Sequence, residues 1–174
     1  MSAVVLAVDP GDVHCGVAVF VAGACRWTGE MGQDDLMDWL GVGAALYAPG
    51  ALAWDAIVCE SFKLYPGKAS AQSWSTMATV EMIGKLREYC RHRPGTEFVL
   101  QPASIKKGSA ARLRAHGVVL TSRGSGGHAK DAELHGWHYL EGVGAWRHHR
   151  RSATAGGAAG AAGHAAAGQA YRRA

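Results

Sequence analysis

The sequence predicts an α/β domain on a mixed sheet, three antiparallel strands followed by parallel ones, flanked by helices. Three observations predict it. Short apolar runs separated by tight-turn residues open the chain, strand and helix patterns alternate from about residue 55 onward, and the apolar runs at 4–8 and 55–59 each end in an acid. With 174 residues, 48% of them hydrophobic, the chain suits one core rather than two.

Val4-Val5-Leu6-Ala7-Val8 is a continuous β-prone run closed by Asp9-Pro10-Gly11, so it reads as a buried strand with Asp9 at its carboxyl end. Gly16 to Val21 and Ala24 to Thr28 follow as two more runs joined by the hairpin turn Ala22-Gly23, which completes an antiparallel meander. Asp34-Asp35 open a helical pattern with Leu36, Leu40 and Leu46 on one face, weakened by Gly41 and Gly43. Asp55 to Cys59 forms a second buried strand and delivers Glu60 as the first delivers Asp9. The spacing of Trp74, Met77, Met82, Leu86 and Tyr89 predicts a long amphipathic helix over 71–92, stopped by Pro94-Gly95. Phe98-Val99-Leu100 is the next strand, ending in Gln101-Pro102, and a short helix is expected near 110–115. Val118 to Leu120 is a small apolar piece, a Gly/Ser loop spans Thr121 to Gly127, and a last helix covers 129–140 and carries His128 and Asp131 at its start.

Two regions are expected: a folded domain over 1–146, and a basic, then Ala/Gly-rich tail over 147–174 with no apolar periodicity to dock, read as disordered. The net charge of +4 owes much to the tail, because residues 1–146 carry 13 basic against 14 acidic groups. Charge is unevenly spread within the domain. Residues 1–59 hold seven acids and one base, Arg26, whereas 60–130 hold twelve Lys/Arg and four acids, a block that is either a solvated surface or a phosphate-contacting one. No apolar run reaches 18 residues and no basic-then-apolar leader opens the chain, so a cytoplasmic protein without membrane association is expected. Cys15, Cys25, Cys59 and Cys90 are widely spaced and read as reduced core residues.

Mg²⁺ prefers carboxylate oxygen and water, and phosphodiester hydrolysis is well served by two such ions held by acids from different elements. Asp9, Glu60 and Asp131 have the right type and stand at strand ends or beside a helix start. Spacing alone does not bring them together.

Four segments, in order, add to this. Val8-Asp9-Pro10-Gly11 with Gly16-Val17-Ala18-Val19, Ile57-Val58-Cys59-Glu60-Ser61-Phe62, Gln101-Pro102-Ala103-Ser104-Ile105-Lys106-Lys107, and His128-Ala129-Lys130-Asp131 resemble the signatures of RuvC-type Holliday junction resolvases, including phage-type members, over residues 3–142. The resemblance implies a ribonuclease H-like fold and a crossover junction endodeoxyribonuclease that cuts four-way DNA junctions symmetrically in recombination and repair. It implies Asp9, Glu60, His128 and Asp131 as ligands of two Mg²⁺ or Mn²⁺ ions. Lys107, or its neighbour Lys106, would act near the scissile phosphate. Lys63, Tyr65, Lys68, Lys106 and Lys107 would touch DNA, and a homodimer would form through the long helix near Met77 to Tyr89, in a bacterial cell or phage-infected host. His128 stands where many relatives carry an acid, which favours Mn²⁺ as a working metal. Phe62 and Tyr65 after Glu60 are either stacking residues for branch-point bases or ordinary loop packing.

Other readings compete. His128, Asp131, His135 and His138 share one helical face and could form a transition-metal site, although His135 and His138 read as easily as helix surface. Asp12 and Glu133 have the wrong offsets for ligands and read as surface or supporting residues. Asp9-Pro10-Gly11 with Gly16 also fits the phosphate loop of actin-like ATPases, which need two such domains. A RuvC-like nuclease acting on RNA or other branched DNA, or a non-catalytic junction-binding protein, completes the alternatives.

Overall fold

The computed structural model describes residues 3–43, 54–63, 75–122 and 127–146. Tyr65, Lys68 and the Ala/Gly-rich tail lie outside the described residues.

Five strands, β1 (Val4–Asp9), β2 (His14–Val21), β3 (Ala24–Gly32), β4 (Ala56–Ser61) and β5 (Glu97–Pro102), form one sheet in the order β3-β2-β1-β4-β5. β1, β2 and β3 pair antiparallel, while β4 and β5 join β1 in parallel. The expected mixed sheet is therefore the observed one. The β2–β3 turn has Ala22 at φ 56° and Gly23 at φ 77°, the two left-handed residues that a tight type I′ hairpin requires.

Side chains alternate across this sheet with period two, and the alternation separates two cores. Val4, Leu6, Val8, Val17, Val19, Ile57 and Cys59 face α1 (Gln33–Asp38) and α2 (Ser75–Arg91), packing on Leu36, Met82 and Leu86. Val5, Ala7, Ala18, Phe20, Ala56 and Val58 face α3 (Ile105–Ala115) and α4 (Gly127–Gly142), packing on Leu113, Ala132, Trp137 and Leu140. The α4 helix lies close on the sheet because glycines permit it. A Cβ on Gly136 would come within 2.0 Å of the Phe20 ring, and one on Gly16 within 1.9 Å of the His128 carbonyl oxygen.

Several boundaries differ from expectation. β3 continues to Gly32 because residues 28–32 keep pairing with β2. The first helix is short and passes into a π-helical turn, Trp39–Gly43, where Gly41 and Gly43 weaken regular α geometry. α3 starts at Ile105, five residues before the expected 110, which places Lys106 and Lys107 in its first turn. Its end is well defined: Gly117 at φ 69° allows the amides of Gly117 and Val118 to reach the Arg114 and Leu113 carbonyls. Val118 and Leu120 pack against the second core without forming a strand.

Candidate active site

Strand parity assembles the site before any helix is considered. Asp9 follows Val5 and Ala7 on the α4 side of β1, Glu60 follows Ala56 and Val58 on the same side of β4, and Gln101 follows Val99 on β5. Register then sets these three side by side, since Val8 pairs with Cys59 and Glu60 with Gln101. The carboxyl ends of three parallel neighbours thus present two acids and an amide to one helix.

That helix is α4, which carries His128, Asp131 and His135 at i, i+3 and i+7 on one face. Its first turn is tied to β3, where Glu30 Oε1 accepts the Ala129 amide at 3.2 Å. Oxygens of Asp9, Glu60 and Asp131 all lie within 4.8 Å of one another. Lys106 Nζ sits between two of these acids, 2.6 Å from Asp131 Oδ2 and 2.9 Å from Glu60 Oε2. His128 Nδ1 lies 2.6 Å from Asp9 Oδ2, with its ring half exposed. A cleft of about 710 Å³ opens over the cluster, lined among others by Asp9, Glu60, Phe62, Lys63, Ser104 and His128.

Burial and partner charges pull the members of the cluster in opposite directions. Burial pushes Asp9 up to about 6; the His128 hydrogen bond opposes this and the nearby Glu60 charge adds to it. Glu60 goes the other way: burial would raise it, but hydrogen bonds from His135 and Lys106 and their charges hold it down at about 2. Burial alone would lower Lys106, yet its bonds to Asp131 and Glu60 keep it above the ordinary lysine value. His128 is raised, chiefly by its bond to Asp9. Hard carboxylate oxygens arriving from three elements, within 4.8 Å of one another, fit a divalent cation of the Mg²⁺ or Mn²⁺ type.

Among the residues singled out from sequence, Asp9, Glu60 and Asp131 converge, and Lys106 joins them. Lys107 is exposed. Lys63 is exposed on the cleft wall. His128 is at the cluster but bonded to Asp9, outside the group of mutually close ligand atoms. Glu133 was expected at the surface or in support of the site; it is fully buried, accepting the Thr121 and Ser122 amides and the Trp137 indole N–H. His138 packs beside Arg112 at 3.1 Å rather than joining a metal face. Asp12 accepts a hydrogen bond from Thr79 on α2. Sequence reading left His135 between a transition-metal face and the helix surface, and gave Gln101 no role of its own; the structure uses both in support of Glu60. His135 is fully buried, with Nε2 2.9 Å from Glu60 Oε2 and Nδ1 2.9 Å from Gln101 Oε1. Its i+4 offset from Asp131 puts it on the face already read from the sequence, but the spacing does not show that the ring lies buried against Glu60.

Three antiparallel then two parallel strands, with an acidic cluster where β1, β4 and the last helix meet, define a ribonuclease H-like α/β fold. Comparison with known proteins narrows this. No protein-family model matches the chain, and no curated protein matches it in sequence. Among solved structures it is similar to Thermus thermophilus RuvC in complex with a Holliday junction substrate, with a TM-score of 0.57 at 14% identity over 82% of this chain and 97% of that one. A second Thermus thermophilus RuvC structure aligns over the same shares, with a TM-score of 0.46 and 13% identity. The fold is RuvC-like. No helix among the described residues is long and apolar enough to cross a membrane.

Proposed function

We propose that this chain is a divalent-metal-dependent endonuclease that resolves four-way DNA junctions by symmetric phosphodiester hydrolysis. The observation that carries the reading is the convergence of oxygens of Asp9, Glu60 and Asp131 within 4.8 Å, two of these acids lining a cleft. Support comes from the fold likeness, since the RuvC structure it resembles is described as bound to a Holliday junction substrate.

Asp9, Glu60 and Asp131 would hold the cations, two per site in this reading. His128 is the fourth ligand in this reading, through Nε2 with its Nδ1 bond to Asp9 kept or through Nδ1 with that bond given up. A divalent cation bound by these acids would supply Lewis acidity and lower the pKa of a bound water for attack at phosphorus. The chain's own groups do the rest. Lys106, on the first turn of α3, places a positive charge beside Glu60 and Asp131, where a phosphate drawn to the cluster gains compensation for its developing charge. Lys63 and Lys107 are exposed and free to meet the DNA backbone, and half-buried Phe62 faces the cleft from the end of β4. Symmetric cutting of a two-fold junction calls for a homodimer, with α2 the proposed partner surface because it presents Val80, 48% exposed, outward.

The test is cleavage of a labelled four-way junction beside linear duplex, flap and RNA:DNA hybrid, with Mg²⁺ or Mn²⁺, by wild type and Asp9→Asn. Paired symmetric nicks on the junction that vanish in the variant are expected. Preferential cutting of RNA or the hybrid moves the substrate elsewhere within this fold, and no metal-dependent cutting of any substrate overturns the nuclease reading.

A further inference from the structure

His135 is the polar group at this site that neither the acidic cluster nor the DNA-contacting lysines account for. It has 0% exposure, beneath Glu60 and between the ends of β4 and β5. Both ring nitrogens have partners on adjacent strands. Glu60 Oε2 can only accept, so Nε2 carries the proton; the Gln101 carboxamide, itself 7% exposed, can accept from or donate to Nδ1 and fixes the ring plane. An aliphatic side chain of similar size would fill the same space but leave the Gln101 amide and Oε2 each short of a partner.

Lys106 donates to the same Glu60 oxygen, Oε2, at 2.9 Å, but from a flexible stem whose side chain is 25% exposed. His135 donates from a rigid ring on the helix that also carries Asp131. Two donors on Oε2 fix the rotation of the carboxylate and leave Oε1 as the oxygen for a cation. We propose that His135, steadied by Gln101, is a positioning residue that locks Glu60 in its ligating rotation and so sets how tightly the site binds a divalent metal. The inference rests on reading Asp9, Glu60 and Asp131 as a metal centre.

The experiment is calorimetric titration of Mn²⁺ into the metal-free full-length chain, for wild type, Glu60→Gln, His135→Met, His135→Gln and Gln101→Leu, with melting temperatures alongside. Wild type is expected to bind and Glu60→Gln to lose binding. His135→Met is expected to bind about 10- to 100-fold more weakly, as loss of a ligand's supporting partner generally does, while His135→Gln, whose amide N–H reaches a similar point, stays within about threefold of wild type. Gln101→Leu falls between them. No binding by wild type overturns the metal-centre reading itself. Wild-type affinity in folded His135→Met, with binding lost in Glu60→Gln, overturns the positioning role alone. Equal loss in His135→Gln and His135→Met assigns the effect to packing and also overturns it. Should His135→Met fail to fold, Gln101→Leu decides, and wild-type affinity there counts against the proposal.

Discussion

The two faces of the sheet are built from alternate residues of the same strands, yet they do different work. The α1/α2 face buries Leu6, Val8, Val17, Ile57, Met82 and Leu86 with scarcely a polar group among them. The α3/α4 face also begins apolar, with Val5, Ala7, Phe20 and Trp137, but toward the carboxyl ends of β1, β4 and β5 it turns polar, through Asp9, Glu60, Gln101 and His135. Parity decides which acid lands on which face, so a single-residue register slip in β1 or β4 would turn its acid into the apolar core. One face is free to be optimised for packing; the other carries buried polar groups that need partners, and those partners converge on α4.

The sharpest break of this comparison comes from the acids. Asp9→Asn or Asp131→Asn is expected to lower metal-dependent cleavage by roughly 10³-fold, about 4 kcal/mol in the barrier, while thermal unfolding without metal changes little or improves. Parallel loss of activity and of cooperative unfolding would mean that the acids serve the fold. On the opposite face, Leu86→Ala should cost about 2–5 kcal/mol in denaturant unfolding and leave cleavage per folded molecule unchanged. Gly16→Ala joins the two properties: its Cβ would strike the backbone of His128, and we expect a loss of about 1–3 kcal/mol with a larger loss of activity, because the start of α4 must lift away.

A weaker effect comes from pH. Asp9 titrates at about 6 in the fold against 3.8 ordinarily, so between these values the folded chain holds a proton that the unfolded chain has lost, and stability falls as pH rises. His128, raised by Asp9, acts in the same direction: its contribution is complete at low pH and is lost as pH climbs through its folded value. Glu60, held at about 2 against 4.5, adds stability above that range and loses it as pH drops toward 2. The metal-free protein should therefore be more stable near pH 5 than near pH 8 by about 1–2 kcal/mol, and saturating Mg²⁺ should shrink or reverse the difference. A metal-free melting temperature that rises steadily from pH 5 to 8 contradicts this. The smallest effect lies on neither face. Ala22 holds a left-handed conformation at φ 56°, so Ala22→Gly should raise stability by about 1 kcal/mol with cleavage unchanged.

Much of this comparison is legible in the sequence. The strands of the meander, Asp9 and Glu60 at strand ends, and the α4 stripe all follow from apolar periodicity and turn residues, because period two and period 3.6 are read directly from residue order. What escaped is set by tertiary contact. Lys106 and Lys107 are equivalent as letters, and only the start of α3 at Ile105 turns Lys106 inward. Glu133 and His135 look like helix surface until the sheet closes over them, since nothing local distinguishes a buried, fully partnered polar residue from a solvated one.

The contact between Asp9 and His128 joins residues 119 positions apart. During synthesis, β1 to β5 and the carboxylates of Asp9 and Glu60 leave the ribosome well before α4 does, and until then the cluster lacks Asp131 and its buried support from His135. If the cluster is the proposed metal centre, a nascent or truncated chain ending before residue 127 lacks Asp131 and His135 and is expected to cut nothing. On the proposed nuclease reading the last helix is a timer: the site is complete only when the domain is finished.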